Sequence, residues 1–366
     1  GAFWALLGLF FATLTNSKYM AYASPFILYY VLIILHERYF DTLYVLYPRE
    51  WLAPSDFWVM DGFGGILLLL ELICIASLGS ALAAERRIRQ IKQAFCVAAY
   101  NFRQWHRNPR IFITFALAFI LCFLLSDKAV KFAQEYETSM QIVEAFVWTF
   151  GDGNSILLSS LLLVLLFADM PFLSGGTPFY LMRIDRRTWL AGQAVYILLA
   201  TGIYMVFILV STAVVCMRNS FSGNMWSETA AILGYSGAGK AVALPVLVKT
   251  LEMSTPYEAM GTIFLLMLLY TLLMVFIMLT ANIRGGQLAG VGSVFVFSLS
   301  GFLLNPQLIK TLFQLPDELM YKANVAMGWI SPLNHATYHM HNFGYDLLPR
   351  LWQTCAIFGV LIVLCF

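Results

Sequence analysis

Charge is what this sequence has least of. Only 11% of its 366 residues are Asp, Glu, Lys or Arg, against roughly 25% in soluble domains. With 60% hydrophobic residues and a mean hydropathy of +0.77, the chain cannot cover itself with polar surface. That excludes an ordinary soluble fold and implies burial in lipid. Cysteine is sparse too. Cys74, Cys96, Cys122, Cys216, Cys355 and Cys365 show no CxxC or other metal-ligand spacing and read as small buried hydrophobes. No Ser-His-Asp set and no paired carboxylates are visible, so an enzyme has no support. Gly234–Ala241 nearly matches the phosphate-binding GxxxxGKS/T pattern, but Ala241 stands where a magnesium-binding hydroxyl is needed and no strand precedes it. The chain is therefore expected to carry no ATPase site, cofactor or metal of its own. Nothing points to nucleic acid. His335, His339 and His341 cluster, and His335 and His339 could share a helix face as zinc ligands do. No Glu follows His335 and no Cys is near, so packing is the reading. The chain opens at Gly1 inside an apolar run, with neither Met nor a basic n-region. That argues against a signal peptide and for a piece of a longer protein.

What the sequence does contain is long apolar runs. A spanning helix needs about 20 mostly apolar residues. About nine candidates occur: 2–14, 19–35, 62–84, 111–125, 155–172, 189–217, 261–281, 287–304 and 352–366. The runs are continuous rather than alternating, which favours helices over a barrel. The predicted fold is an all-α polytopic helix bundle. Residues 132–150 carry helix-spaced apolar positions without Gly or Pro and predict an amphipathic outer helix.

Arg86 to Arg110 orients the chain. Seven of its residues are Lys or Arg and none is acidic, and Phe95, Tyr100, Phe102 and Trp105 lie among them. A basic, aromatic segment between spans is cytoplasmic and interfacial, with membrane lipid as its partner. With that side inside, segments 14–18, 85–110, 174–188 and 282–286 hold 12 Lys/Arg and 2 acids. The outer segments 36–61, 127–154, 218–260 and 305–351 hold the other 10 Lys/Arg and 16 acids in nearly three times the length. This is the positive-inside distribution.

There is also an internal repeat. Leu14-Thr15-Asn16-Ser17-Lys18, a span, and an outer loop with Trp51-Leu52-Ala53-Pro54 are echoed by Leu279-Thr280-Ala281-Asn282-Ile283-Arg284, a span, and Trp329-Ile330-Ser331-Pro332. The repeat divides the chain into 1–90 and 91–366. A basic helix ending Arg107-Asn108-Pro109-Arg110 before the first span of the second copy, a short inner loop Ser174–Trp189, and Ser331-Pro332-Leu333 before the last span resemble membrane subunits of ATP-binding-cassette (ABC) exporters of the type-2 permease class. The resemblance implies six-span permease units, the last three spans of one in 1–90 and a near-complete second in 91–366. It implies a multi-pass protein of the cell (inner) membrane that exports a substrate. A separate cytoplasmic ABC ATPase subunit would bind ATP and magnesium, and a second permease unit would complete the pathway. It makes 174–188 the ATPase-coupling loop, with Thr177, Tyr180, Leu181, Arg183, Asp185, Arg186 and Arg187 as contact residues. Arg86, Arg87, Arg103, Trp105, Arg107 and Arg110 belong to the interfacial helix.

The residues support parts of this independently. Ser174-Gly175-Gly176-Thr177 breaks the preceding helix, and Tyr180, Leu181 and Ile184 alternate with charges. Such a short amphipathic segment needs a surface to lie on, a partner protein or the lipid headgroups. Glu71 interrupts its span, and a carboxylate there must face protein or water. It reads as a pathway residue or as a hydrogen-bonded pin between helices. Asp169 is expected to pair with Arg183 or Arg186, or to line the pathway. Gly285, Gly286, Gly290 and Gly292 predict close helix packing. Two other classes stay open: an ion-driven secondary transporter using Glu71 or Asp169, and a non-transporting membrane scaffold or immunity protein.

Overall fold

The computed structural model describes residues 2–15, 17–39, 47–49, 63–172, 182, 184–241, 244, 246–304, 307, 310, 311, 314, 316, 320–344 and 346–365. The chain divides into two compact units, Gly1–Gln93 and Ala94–Phe366. In the first, α1 (Ala2–Thr15) and α2 (Lys18–Tyr39) form a hairpin. The Trp4 and Tyr29 rings meet edge to face at 5.7 Å. Nearer the turn, a Cβ on Gly8 would lie 2.5 Å from the Ala21 carbonyl oxygen. Contacts whose sequence separation shrinks toward the turn define an antiparallel pair.

Helix α3 (Phe63–Arg103) is continuous through the expected boundary. A span followed by a separate interfacial helix was expected, but Arg86 and Arg87 lie inside α3. The reason is local: from Ser80 to Arg103 there is neither Gly nor Pro, so nothing interrupts propagation.

The second unit runs through α4 (Pro109–Glu135), α5 (Glu144–Phe150), α6 (Gly153–Phe167), α7 (Arg186–Cys216), α8 (Glu228–Tyr235), α9 (Pro256–Leu303), α10 (Met320–Ile330), α11 (Pro332–Ala336) and α12 (Leu351–Cys365). The strands β1 (Met140–Gln141) and β2 (Ser220–Phe221) pair in parallel, Met140 opposite Ser220. Residues 132–150 are not the single amphipathic helix expected. Helix α4 ends at Glu135, Glu137 takes a positive φ of 50°, β1 intervenes, and every residue of α5 is buried. Apolar residues at helical spacing here mark burial on all sides rather than one wet face. Helices α5 and α6 meet at 87°.

Helix α9 is a hairpin of two arms, 256–285 and 287–303. Gly286 has φ 76° and ψ −178°, a conformation open essentially to glycine alone. In a straight helix Tyr270 and Phe297 would stand ~40 Å apart, yet their ring centroids are 5.5 Å apart.

Polarity is inverted relative to a soluble protein. Thr114, Ser126, Ser159, Gln193, Thr201, Thr271 and Ser298 are buried, while Phe112, Ile120, Leu124, Val206, Val210, Phe295 and Val296 are exposed. Among the described residues four helices are long and apolar enough to cross a membrane, five if α5 and α6 form one bent span. The chain is thus an α-helical, membrane-embedded protein.

Gly290 tests the hairpin. Its Cβ would fall 1.6 Å from Asn282 Oδ1 and 3.0 Å from the Met278 carbonyl, whereas Gly292 has nothing within 4 Å. Gly290→Ala is expected to cost about 1–3 kcal/mol, read as a lower melting temperature in detergent, while Gly292→Ala leaves it unchanged or raised.

Candidate functional site

Three helix ends converge two residues beyond α6. Asn108 starts α4: its side chain accepts from the Arg110 amide at 3.1 Å and Pro109 takes the first helical position, which needs no N–H. The Arg107-Asn108-Pro109-Arg110 motif is therefore a capped helix start that aims Arg110 at the junction. The Arg110 guanidinium ion-pairs with the Asp169 carboxylate. Gln287, first residue of the second α9 arm, donates to Asp169 Oδ1 at 2.6 Å. In the turn of α9, Asn282 donates to the carbonyls of Ala168 (3.1 Å) and Met170 (2.6 Å). One short segment, 168–170, thus ties the start of α4 and the turn of α9 to the end of α6. Asp169 does not pair with Arg186 as expected; Arg186 is exposed in the first turn of α7. The Arg110–Asp169 pair is itself 50% and 36% exposed, so it adds at most ~1 kcal/mol to stability. Its effect is positional.

The end of α3 and the turn that follows it, Trp105–Arg107, clamp onto α7. Asn101 donates to Gln193 at 2.8 Å and the Trp105 indole to the Tyr196 hydroxyl at 2.9 Å. Gly192 lets the helices close, since a Cβ there would lie 2.7 Å from Val97 Cβ and 2.9 Å from the Ala94 carbonyl. Of the basic residues, Arg87 and Arg103 are exposed, and the side chains of Arg86 and Arg107 lie outside the described residues. So do Thr177, Tyr180, Leu181 and Arg183 of the inner loop. Asp185 precedes α7 without capping it by a side-chain hydrogen bond, and Arg187 is exposed. Glu71 is half-buried on α3, in the first unit.

No family model, curated protein or solved structure matches this chain.

The opposite end of the second unit is held by two buried polar clusters. Glu144, fully buried, accepts from the Ser227 amide (2.7 Å), the Ser227 hydroxyl (2.6 Å) and the Gln141 amide (3.1 Å). This closes the β1–β2 loops over α5. The second cluster corrects the expectation that His335 and His339 share a helix face, because α11 ends at Ala336. His335 and His341 instead meet on one hydroxyl, each 3.1 Å from Thr354 Oγ1 in α12. His335 Nε2 faces the Trp329 carbonyl at 3.0 Å, and His341 Nδ1 faces the carbonyls of Thr337 and Tyr338, both at 3.1 Å. Sequence reasoning missed Asn101, Glu144, Gln193, Ser227, Asn282 and Thr354. Asn282 and Gln193 carried the available signal, as carboxamides within or beside apolar runs.

Burial pushes the His341 imidazole down to about 4, and burial lowers His335 as well. Both are neutral in the folded protein at pH 7, while an unfolded histidine titrates near 6.5. The histidine contribution is therefore present above about pH 6.5 and is lost as pH falls toward 4. From pH 7 to pH 5 the His341 contribution falls by up to ~2 kcal/mol. Hydrogen exchange at 335–341 is expected to accelerate over that interval, and His341→Gln to flatten the dependence.

Proposed function

We propose that this chain is membrane permease machinery of an ABC exporter, moving a substrate with ATP hydrolysed by a separate cytoplasmic ATPase subunit. On this reading the second unit supplies six spans: α4, α6, α7, the two arms of α9, and α12. The first supplies the last three spans of another unit, giving nine in all. Segments 86–110 and 174–188 face the cytoplasm, where Asp185, Arg186 and Arg187, with Thr177, Tyr180, Leu181 and Arg183, contact the ATPase.

The observation that carries this reading is the Asp169 junction. The chain leaves α6 at 168–170 and returns at Asp185 to begin α7. The departure point is tied to Arg110, Asn282 and Gln287, so a force applied to the intervening loop reaches α4, α6, α7 and α9 together. A passive anchor has no need of that convergence; a lever driven by a partner does.

The test is to purify the full chain from its native host and assay for a bound ATPase. The expected result is nucleotide hydrolysis that co-purifies with the chain and disappears when 174–188 is deleted. Asp169→Ala is expected to keep the ATPase bound while lowering ATP-driven substrate flux in vesicles at least tenfold. An intact chain with no ATPase, or residues 174–188 labelled by an impermeant reagent from outside the cell, overturns the proposal.

A further inference from the structure

The end of the second unit remote from Asp169 holds a cavity of about 540 Å³ between the start of α6, the end of α9, α10 and the segment 333–348. That volume lies within the range of small-ligand pockets. Its chemistry is specific. Asp152 caps α6, its Oδ2 accepting from the Asn154 amide at 3.2 Å. Among the described residues no cation pairs with it. The other carboxylate in the wall, Asp346, is ion-paired with Lys249, and His339 is held neutral near pH 7 because burial lowers its pKa. Asp346 is thus matched by Lys249, while among the described residues Asp152, which His339 faces, is the lining carboxylate without an ion pair.

The rest of the lining suits one partner for that charge. Asn324 and Asn334 line the cavity. Asn334 commits its Nδ2 to the Met327 carbonyl at 3.3 Å, so its Oδ1 remains the face available to a donor. A compact cation with several N–H donors and no acceptor, as an ammonium is, suits a carboxylate beside carboxamide oxygens. Phe302, 63% exposed, and Leu304 form an apolar side of the same cavity. We infer that this cavity binds the ammonium group of an amphipathic amine, with the ammonium between Asp152 and the Asn324 and Asn334 carboxamides and the apolar tail along Phe302 and Leu304. Such an ammonium can belong to a free aliphatic amine or to the ethanolamine head of a phospholipid.

Binding here needs no motor and no nucleotide, so its failure leaves the transport reading untouched, and the reverse. The experiment uses the full chain in a neutral maltoside detergent with n-octylamine as probe and n-octanol and octanoate as controls, read by hydrogen exchange at 152–154 and 321–341. Octylamine is expected to slow exchange in both segments saturably, with the controls inert. Asp152→Asn is expected to weaken the apparent affinity at least tenfold without loss of fold, because Asn caps a helix as well as Asp. Val325→Trp, which fills the cavity from α10, is expected to abolish the protection. Native mass spectrometry then separates the sources. Phosphatidylethanolamine retained by the parent chain and lost in Asp152→Asn makes the ligand a lipid head, and octylamine protection without such retention makes it a free amine. Octanol protecting as well as octylamine, or Asp152→Asn binding with undiminished affinity, overturns the inference.

Discussion

Lipid offers a polar group nothing to bond with, and the architecture of this protein follows from that constraint. Its exterior is apolar, so helices gain little by hiding apolar surface from one another. What holds them is close contact at small residues and hydrogen bonds made inside the bundle. Both occur together at two joints of the second unit, and close contact alone is seen in the hairpin of the first. Gly8 admits the Ala21 backbone; Gly192 admits Val97 beside the Asn101–Gln193 bond; Gly290 admits Asn282, which in turn reaches the carbonyls of Ala168 and Met170. Tyr204, fully buried, spends its hydroxyl on the Ser159 carbonyl at 2.7 Å. Each bond contributes modestly, near 0.6 kcal/mol on average for such interhelical pairs, so no single pin dominates. Removing one partner is the costly event, because the other is then stranded out of reach of water.

The pins are not spread evenly along the second unit. One group gathers at Asp169, where charge is half-exposed and adaptable. The other gathers around Glu144 and around Thr354, where Glu144, Gln141, Ser227, His335, His341 and Thr354 are all buried. In the first arrangement the half-exposed ion pair exchanges readily with water, although the Asn282 bonds to Ala168 and Met170 beside it are buried. The second does not exchange in this way, since opening it leaves a carboxyl or imidazole without its donors.

Much of the fold was legible in the residues. Low charge and continuous apolar runs imply membrane helices, and the glycine pair at 285–286 marks the turn of α9. What could not be read was pairing. Arg110 and Asp169 lie 59 positions apart, and spacing alone offered Arg183 and Arg186 as nearer candidates. Only the capped start of α4 at Asn108-Pro109 aims Arg110 at Asp169. The break between α4 and α5 was missed for a related reason. Apolar spacing through 132–150 is helical, but the parallel β1–β2 pairing and the Glu144–Ser227 bonds depend on a loop some 80 residues downstream. The tertiary partner overrode the local pattern. The histidines failed in the same way: a four-residue spacing suggests one face, but Pro332 starts a helix too short to carry it.

Helix α6 connects the two ends. Asp152 caps its start and Asp169 lies two residues past its end, with about 22 Å of helix, 15 residues at 1.5 Å each, between them. Ser159 and Ser160 are fully buried along its length, and the Tyr204 bond fixes its middle. A helix gripped in this way transmits a displacement along its axis more faithfully than it bends. A shift imposed along that axis at 168–170 would bear on Asp152 in the cavity wall through a helix held midway by the Tyr204–Ser159 bond. Linkage makes the relation mutual: whatever differentially stabilises one position of Asp152 biases the Asp169 junction by the same free energy.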